Sequence, residues 1–232
     1  MQISGWIKQS LMDYPGKVTT VVFTQGCNFR CPYCHNRELL GQRSGLIPEK
    51  MIMQYLSKNR FFLDGIVITG GEPSLQADLV TFIRKVKKIG LAVKLDTNGS
   101  HPRLLAGLFR DKLVDYVAMD VKSSFYPDRY GLAAGIRMNP QLLEQIRESV
   151  RLIIGSEVDH EFRTTVCREL IRQEDFLQIL AELRGCRRYY LQQYRFPDKD
   201  FNWTGQFTPY PADRVGLLTA NTTTDFPVLF RE

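Results

Sequence analysis

The sequence lacks any run that approaches the roughly 20 apolar residues of a membrane-spanning helix. Its first residues, Met1–Trp6, show neither the basic nor the apolar segment of a secretory signal peptide. Internal repeats and low-complexity tracts are also missing, while 44% of the residues are hydrophobic. We therefore expect a globular, cytoplasmic protein that has no membrane partner.

The sequence also lacks clusters of like-charged residues. The net charge is +6 and the isoelectric point lies near 9.1, values that would suit a nucleic-acid-binding protein. However, the 31 lysines and arginines are scattered along the chain instead of forming a basic stripe. Nucleic-acid binding is therefore not favoured.

Cysteine is scarce, and three of the five cysteines lie close together, at Cys27, Cys31 and Cys34. An odd number of cysteines with this clustering is unlike a disulfide framework. The spacing C-x3-C-x2-C supplies three thiolates, whereas a closed structural metal site uses four protein ligands. Thiolates suit zinc or an iron–sulfur cluster, not magnesium or calcium. The motif thus predicts a metal site with one open position and leaves the metal undecided.

Short β-branched runs alternate with five amphipathic helical patterns along the first 195 residues. Six runs are predicted to be strands: 18–23, 66–69, 91–96, 116–121, 160–166 and 188–193. This alternation predicts an α/β fold with a parallel sheet, built as an open, partial (β/α)6 TIM-like barrel over residues 1–195. A flat doubly wound sheet is the alternative, but the turn after the first strand holds cysteines instead of the expected glycines.

Residues 196–232 differ in composition from the rest of the chain. They are rich in proline and aromatic residues, among them Trp203, Phe207 and Tyr210, and show little helical periodicity. We expect this tail to pack against the barrel.

The predicted strands end in residues that can carry chemistry. Because the carboxyl ends of parallel strands share one edge of the sheet, these residues should meet there. They are the cysteine loop, Gly70-Gly71-Glu72, Asp96 with Asn98, Asp120 with Lys122, and Arg163.

The cysteine loop with His35 after it, followed by Gly70-Gly71-Glu72, resembles the radical S-adenosylmethionine (SAM) superfamily. More narrowly, residues 1–195 are similar to the glycyl-radical-enzyme activases, above all those of anaerobic ribonucleoside-triphosphate reductase, in the longer variant related to pyruvate formate-lyase activase. Four further runs carry this resemblance: 13–16, 95–99, 118–122 and 162–165.

The resemblance implies a specific chemistry. Cys27, Cys31 and Cys34 would hold a 4Fe–4S cluster, and SAM would chelate the open iron through its amino and carboxylate groups. One electron, from flavodoxin or ferredoxin, would cleave SAM to methionine and a 5′-deoxyadenosyl radical. That radical would take hydrogen from a glycine of a partner glycyl radical enzyme, anaerobic (class III) ribonucleotide reductase.

The resemblance also implies roles for the residues that contact SAM. Gly70 and Gly71 would let the backbone approach its amino group, with the Glu72 carboxylate beside that ammonium. Tyr33 and His35 would flank the adenine, and Arg163 would reach the carboxylate or the ribose. Asn98 is a further predicted SAM contact.

The resemblance also implies roles for three acidic residues. Asp96 and Asp120 resemble a pair that holds a monovalent cation beside SAM. Two converging carboxylates raise each other's pKa, so either that cation or Lys122 should lie between them. Asp13 matches a residue at the mouth through which the glycine-bearing loop enters.

The sequence departs from the related family at one place. Pyruvate formate-lyase activases have a SAM-contacting histidine after the sixth strand, where this chain has Gln193 and Arg195, either of which would substitute. This departure disfavours pyruvate formate-lyase as the target.

Several alternatives stay open. One is an activase of another glycyl radical enzyme. Another is a small-molecule radical SAM enzyme similar to 7-carboxy-7-deazaguanine synthases, which typically have aspartate in place of His35. The last is a non-catalytic zinc module that uses the three cysteines and His35, although adjacent ligands at 34 and 35 are unusual.

Overall fold

A computed structural model describes residues 1–41, 45–195, 207–210 and 224–231. Within them, one eight-stranded sheet follows the order of the chain. Its strands are β1 (Ile3–Ser10), β2 (Thr19–Thr24), β3 (Gly65–Gly70), β4 (Ala92–Thr97), β5 (Tyr116–Asp120), β6 (Asp159–Val166), β7 (Tyr189–Gln193) and β8 (Val228–Arg231). β1 is antiparallel to β2, and every later neighbouring pair is parallel.

Helices connect most of the parallel strands. They are α1 (Glu49–Lys58), α2 (Leu79–Ile89), α3 (Pro102–Arg110), α4 (Pro127–Ala134), α5 (Pro140–Ile154) and α6 (Gln173–Glu182). Local sequence explains where several of them begin and end. The Asn139 side chain accepts a hydrogen bond from the Leu142 amide and caps α5, while Gly90 ends α2 in the left-handed conformation.

The two faces of the sheet carry different residues, because successive side chains of a strand point to opposite sides. The outer face buries Val22, Ile68, Leu95 and Phe162 in the main core. The inner face has a small apolar cluster, including Val21, Val67 and Tyr116, and a set of charged residues on β4, β5 and β6. The inner face is therefore where polar chemistry is concentrated.

The predicted α/β partial barrel is confirmed. The doubly wound alternative is wrong, since its strand order would reverse at a switch point, whereas here the order follows the chain without reversal. The predicted numbers of elements were too low. β1, β8 and α4 were missed, β1 because it mixes exposed and half-buried positions and β8 because it has four residues.

The described part of the tail contributes to the barrel. β8 pairs with β7, Phe226 is buried, and Phe207 and Tyr210 pack against the main core. Trp203 lies outside the described residues. Among the helices in the described ranges, none is long and apolar enough to cross a membrane.

Candidate active site

The cysteine loop follows β2 directly and borders a cavity of about 310 Å³ at the carboxyl ends of the strands. This volume is within the range of small-molecule sites. Nearly all the predicted site residues line it: Cys27, Cys31, Tyr33, Cys34, His35, Gly70, Gly71, Glu72, Asp96, Asn98, Asp120, Lys122 and Arg163. Strand geometry therefore brings together residues that are up to 136 positions apart in the chain.

Two predicted residues do not line this cavity. Asp13 lies on the loop between β1 and β2, at the amino end of β2, where it accepts a hydrogen bond from the Ser10 hydroxyl. Arg195 is exposed beyond the end of β7. The proposed roles of both residues stay predictions.

Five polar residues that line the cavity were not among the predicted site residues: Asn36, Thr69, Thr97, Thr165 and Gln192. Thr165 and Gln192 are register partners on β6 and β7. A signal was available, since Thr165 lies two positions after Arg163 and therefore faces the same side of its strand. Gln192, not Gln193, occupies the cavity wall, and the Gln193 side chain instead donates to the Tyr210 carbonyl.

The three thiols differ in exposure, with Cys31 buried and Cys27 and Cys34 half-buried. Burial raises the pKa of Cys27 to about 11 and also raises that of Cys31, although the charge of Lys122 lowers both. Metal ligation requires the thiolate form, so loading a metal or cluster here releases protons. Lys122 is the nearby cation that offsets the negative charge so formed.

The glycine pair at the end of β3 packs against the cysteine loop. A Cβ on Gly71 would lie 2.0 Å from the Gly26 carbonyl oxygen, and one on Gly70 would lie 2.5 Å from the Thr24 nitrogen. The protein alone therefore requires both glycines, and the further reason, room for the SAM amino group, stays a prediction. The neighbour that excludes a side chain is the protein backbone of β2 and the residues after it.

The Glu72 carboxylate is buried and already holds its hydrogen-bond donors. It accepts from the Ser74 amide at 3.1 Å, the Ser74 hydroxyl at 2.6 Å, the Thr97 hydroxyl at 2.7 Å and the Asn98 amide at 2.7 Å. Burial raises its pKa, and these bonds only partly oppose that shift. Glu72 thus ties the loop after β3 to the end of β4. Its place beside the SAM ammonium stays a prediction.

Arg163 joins the two aspartates that were predicted to hold a cation. Its Nε lies 2.8 Å from Asp120 and its Nη1 lies 3.3 Å from Asp96. Lys122 contacts Asp120 at 3.0 Å, and Lys94 contacts Asp96 at 2.8 Å. In this structure the charge between the carboxylates comes from Arg163, and the monovalent cation stays a prediction.

Electrostatics keeps these groups charged. Burial opposes ionisation of Asp120, but Arg163 and then Lys122 lower its pKa to about 2. Burial also opposes the charge on Lys122, yet Asp120 and Cys31 raise its pKa well above the usual range. Part of the cavity wall is thus a row of paired charges.

Two rings next to Cys34 have different environments. Tyr33 is buried, and its hydroxyl has no hydrogen-bond partner among the described residues. His35 is exposed at the rim, with its ring centroid 6.2 Å from that of Tyr194. Tyr33 is part of the cavity wall, whereas its hydroxyl oxygen is itself buried.

The three cysteine thiols suit an iron–sulfur cluster with one open iron. In the parts of the chain that the structure describes, no three His, Cys, Asp or Glu side chains converge on one ion. A cubane does not need such convergence, since each cysteine binds a different iron.

Comparisons with known proteins show the family of this chain. The family model of the radical SAM superfamily matches residues 21–152. A protein of Methanocaldococcus jannaschii assigned as a glycyl-radical enzyme activating enzyme is 38% identical over 199 residues, which cover 84% of this chain and 81% of that protein. The pyruvate formate-lyase-activating enzyme of Streptococcus mutans is 28% identical over 88% of this chain and 81% of its own length.

A solved structure shows the same fold. The crystal structure of Streptococcus suis SuiB matches 91% of this chain with a TM-score of 0.69 at 12% identity. This chain spans about half of that protein, 48% of its length.

Proposed function

The chain belongs to the radical SAM superfamily, in the family of the glycyl-radical enzyme activating enzymes, and we propose that it installs a glycyl radical on a partner protein. The observation that carries this proposal is the joint placement of Cys27, Cys31 and Cys34 in one cavity with the charged row of Asp96, Arg163 and Asp120. Three thiols hold a cluster and leave one iron for a ligand. The charged row offers both signs to that ligand.

When bound, a 4Fe–4S cluster and SAM supply one-electron cleavage of the sulfonium, which yields methionine and a 5′-deoxyadenosyl radical that takes a hydrogen atom from glycine. The protein's own residues hold and orient these groups. The cysteines fix the cluster at the end of β2. Glu72 fixes the loop after β3 against β4, and Tyr33 forms part of the cavity wall.

Lys122 and Arg163 are the cations proposed to meet the SAM carboxylate. Each already pairs with an aspartate, so both enter the site with fixed orientation. Asn98 donates to the Asn28 side-chain oxygen and so links the β4 end to the cysteine loop. The predicted contacts of Asn98 and His35 with SAM are part of this proposal.

We propose anaerobic ribonucleotide reductase as the partner. The support is the motif resemblance over residues 1–195 and the absence, after β7, of the histidine found in pyruvate formate-lyase activases. Gln192 lines the cavity at that place and offers an amide in its stead.

The first test concerns the cofactors. Protein purified without oxygen and reconstituted should hold about four irons per chain and form 5′-deoxyadenosine from SAM when reduced with dithionite. Cys34→Ala should lose both the iron and the product. Cys186→Ala removes a buried thiol outside the cavity and should keep both. Colourless protein with stoichiometric zinc and no cleavage would refute the proposal.

The second test concerns the partner. Anaerobic ribonucleotide reductase and pyruvate formate-lyase are each mixed with the reduced enzyme and SAM, and glycyl radical is read by electron paramagnetic resonance. We expect the signal on the reductase alone. A signal on the lyase alone would refute the choice of partner. SAM-dependent modification of a small molecule without any protein radical would refute the activase function.

A further inference from the structure

We infer that the surface formed by α4 and the back of the cysteine loop is the docking site of an acidic one-electron carrier protein, a flavodoxin. This surface, the α4 face, is defined by Arg30, Leu132, Gly135, Ile136 and Arg137. The inference rests on the proposed function, which requires one electron for each SAM cleaved. It adds a second route to the cluster, separate from the cavity.

The backbone of the α4 face contacts the backbone of the cysteine loop. The Arg30 amide donates to the Ala134 carbonyl at 2.9 Å. A Cβ on Gly135 would lie 2.0 Å from the Arg30 carbonyl oxygen and 3.1 Å from the Cys31 nitrogen. Gly135 is exposed, so a protein resting on it is separated from the Cys31 backbone by a single layer of main chain. Electron transfer slows steeply with distance, so this closeness favours the α4 face.

The cavity side of the loop is needed for other molecules. Cys27, Cys31 and Cys34 all border the cavity, which is the place for SAM and the incoming glycine. An electron donor that used the same opening would compete with both. The α4 face approaches the loop through Arg30, which does not line the cavity, and therefore leaves that opening free.

The chemistry of the α4 face suits an acidic redox partner. Leu132 at its centre is 53% exposed, next to an open depression that also involves Pro127 and Met138. Arg30 and Arg137 are exposed at its sides, and the Arg30 guanidinium donates to the Phe29 carbonyl, so its charge is held on the cysteine loop itself. Asp128 is the acid at the edge of the depression.

The size of the α4 face also agrees with this partner. Transient redox complexes have the smallest protein interfaces, so one short helix and one loop are enough. Opposite charge brings such partners together quickly, and the net charge of +6 on this chain acts in the same direction. In the transfer, the flavin hydroquinone anion loses one electron to the cluster and becomes the neutral semiquinone, with no proton released.

The direct test measures binding. Flavodoxin is titrated into the cluster-loaded enzyme at low ionic strength, and the dissociation constant is read from flavin fluorescence. Arg137→Glu and Leu132→Glu should each weaken binding at least tenfold. Arg110→Glu is the matched control, because it makes the same charge change on α3, at a side chain that is 78% exposed. It should alter the constant less than twofold.

A kinetic comparison separates docking from chemistry. With subsaturating flavodoxin hydroquinone, 5′-deoxyadenosine formation should fall in Arg137→Glu and Leu132→Glu by the same factor as binding. With dithionite, which needs no docking surface, both variants should match the wild type. Added salt should slow the flavodoxin reaction and not the dithionite reaction.

Four results would overturn the inference. The first is that both α4 variants bind flavodoxin as tightly as the wild type does, and the second is that Arg110→Glu weakens flavodoxin binding as much as they do. The third is binding of a plant-type ferredoxin that the variants abolish, with no binding of flavodoxin. The fourth is loss of glycyl radical under dithionite, which would assign the α4 face to the substrate protein. If the wild type cleaves no SAM with dithionite, the proposed function fails, while the binding titration still decides the docking site.

Discussion

Replacing Gly71 by alanine tests whether the glycine loop is shaped by the protein backbone or by the cosubstrate. A Cβ at this position would lie 2.0 Å from the Gly26 carbonyl oxygen, whereas such contacts stay beyond about 3.0 Å in real proteins. The loop after β3 must therefore move away from the cysteine loop by roughly 1 Å. That movement breaks the bond from the Glu72 amide to the Gly26 carbonyl, which is 2.8 Å long.

The expected loss of stability follows from these two effects. Forcing extra volume into a packed site costs about 1–3 kcal/mol. The broken hydrogen bond adds about 1 kcal/mol. The sum is about 2–4 kcal/mol in the free energy of unfolding, which for a chain of this length lowers Tm by roughly 4 to 16 °C.

The assay is denaturant and thermal unfolding of the cluster-free protein in the absence of SAM. Gly41→Ala is the matched control, because a Cβ there meets no atom of the described residues within 4 Å. Its stability should be unchanged or higher by up to about 1 kcal/mol. If Gly71→Ala unfolds like the wild type and loses only SAM affinity, the backbone explanation is refuted and the cosubstrate explanation is restored.

Three further predictions concern the charged and buried groups. Glu72→Gln should lower the free energy of unfolding by about 2–5 kcal/mol in urea titrations, because the NH2 group of the new side chain would face the Asn98 backbone N–H, which is also a donor. A loss below about 1 kcal/mol would contradict this. Arg163 lowers the pKa of Asp120 to about 2, so the wild type should be more stable than Asp120→Asn by at most about 2 kcal/mol. This advantage should be present above about pH 4 and fade as the pH falls towards about 2. An advantage that grows in acid would be inconsistent with the pairing. Arg163→Gln should cost about 1–3 kcal/mol at neutral pH, because Asp96 and Asp120 lose the cation that joins them and keep only Lys94 and Lys122. The cost should shrink as acid protonates the two aspartates, whereas a pH-independent cost would point to lost packing instead.

Much of the fold could be predicted because it depends on local pattern. The six predicted strands are all present, since strands buried on both faces read as continuous apolar runs. Caps at Asn139 and Gly90 are equally local. β8 could not be found in this way, because its four residues become a strand only by pairing with β7. α4 was missed for a related reason, since its buried residues are mainly small ones that pack on the cysteine loop.

The sequence by itself determined most of the residues that reach the site. They lie in strands or directly after them, and the carboxyl ends of parallel strands must share one edge, so the cysteines, Glu72, Asp120 and Arg163 are predicted to meet there. Only the tertiary structure decided what each residue touches. Arg163 separates the aspartates, Glu72 faces four donors, and Gly71 meets Gly26, because these contacts depend on distances between loops that lie far apart in the chain. Periodicity assigns a side chain to a face, whereas its partner there is set by how the strands and loops pack.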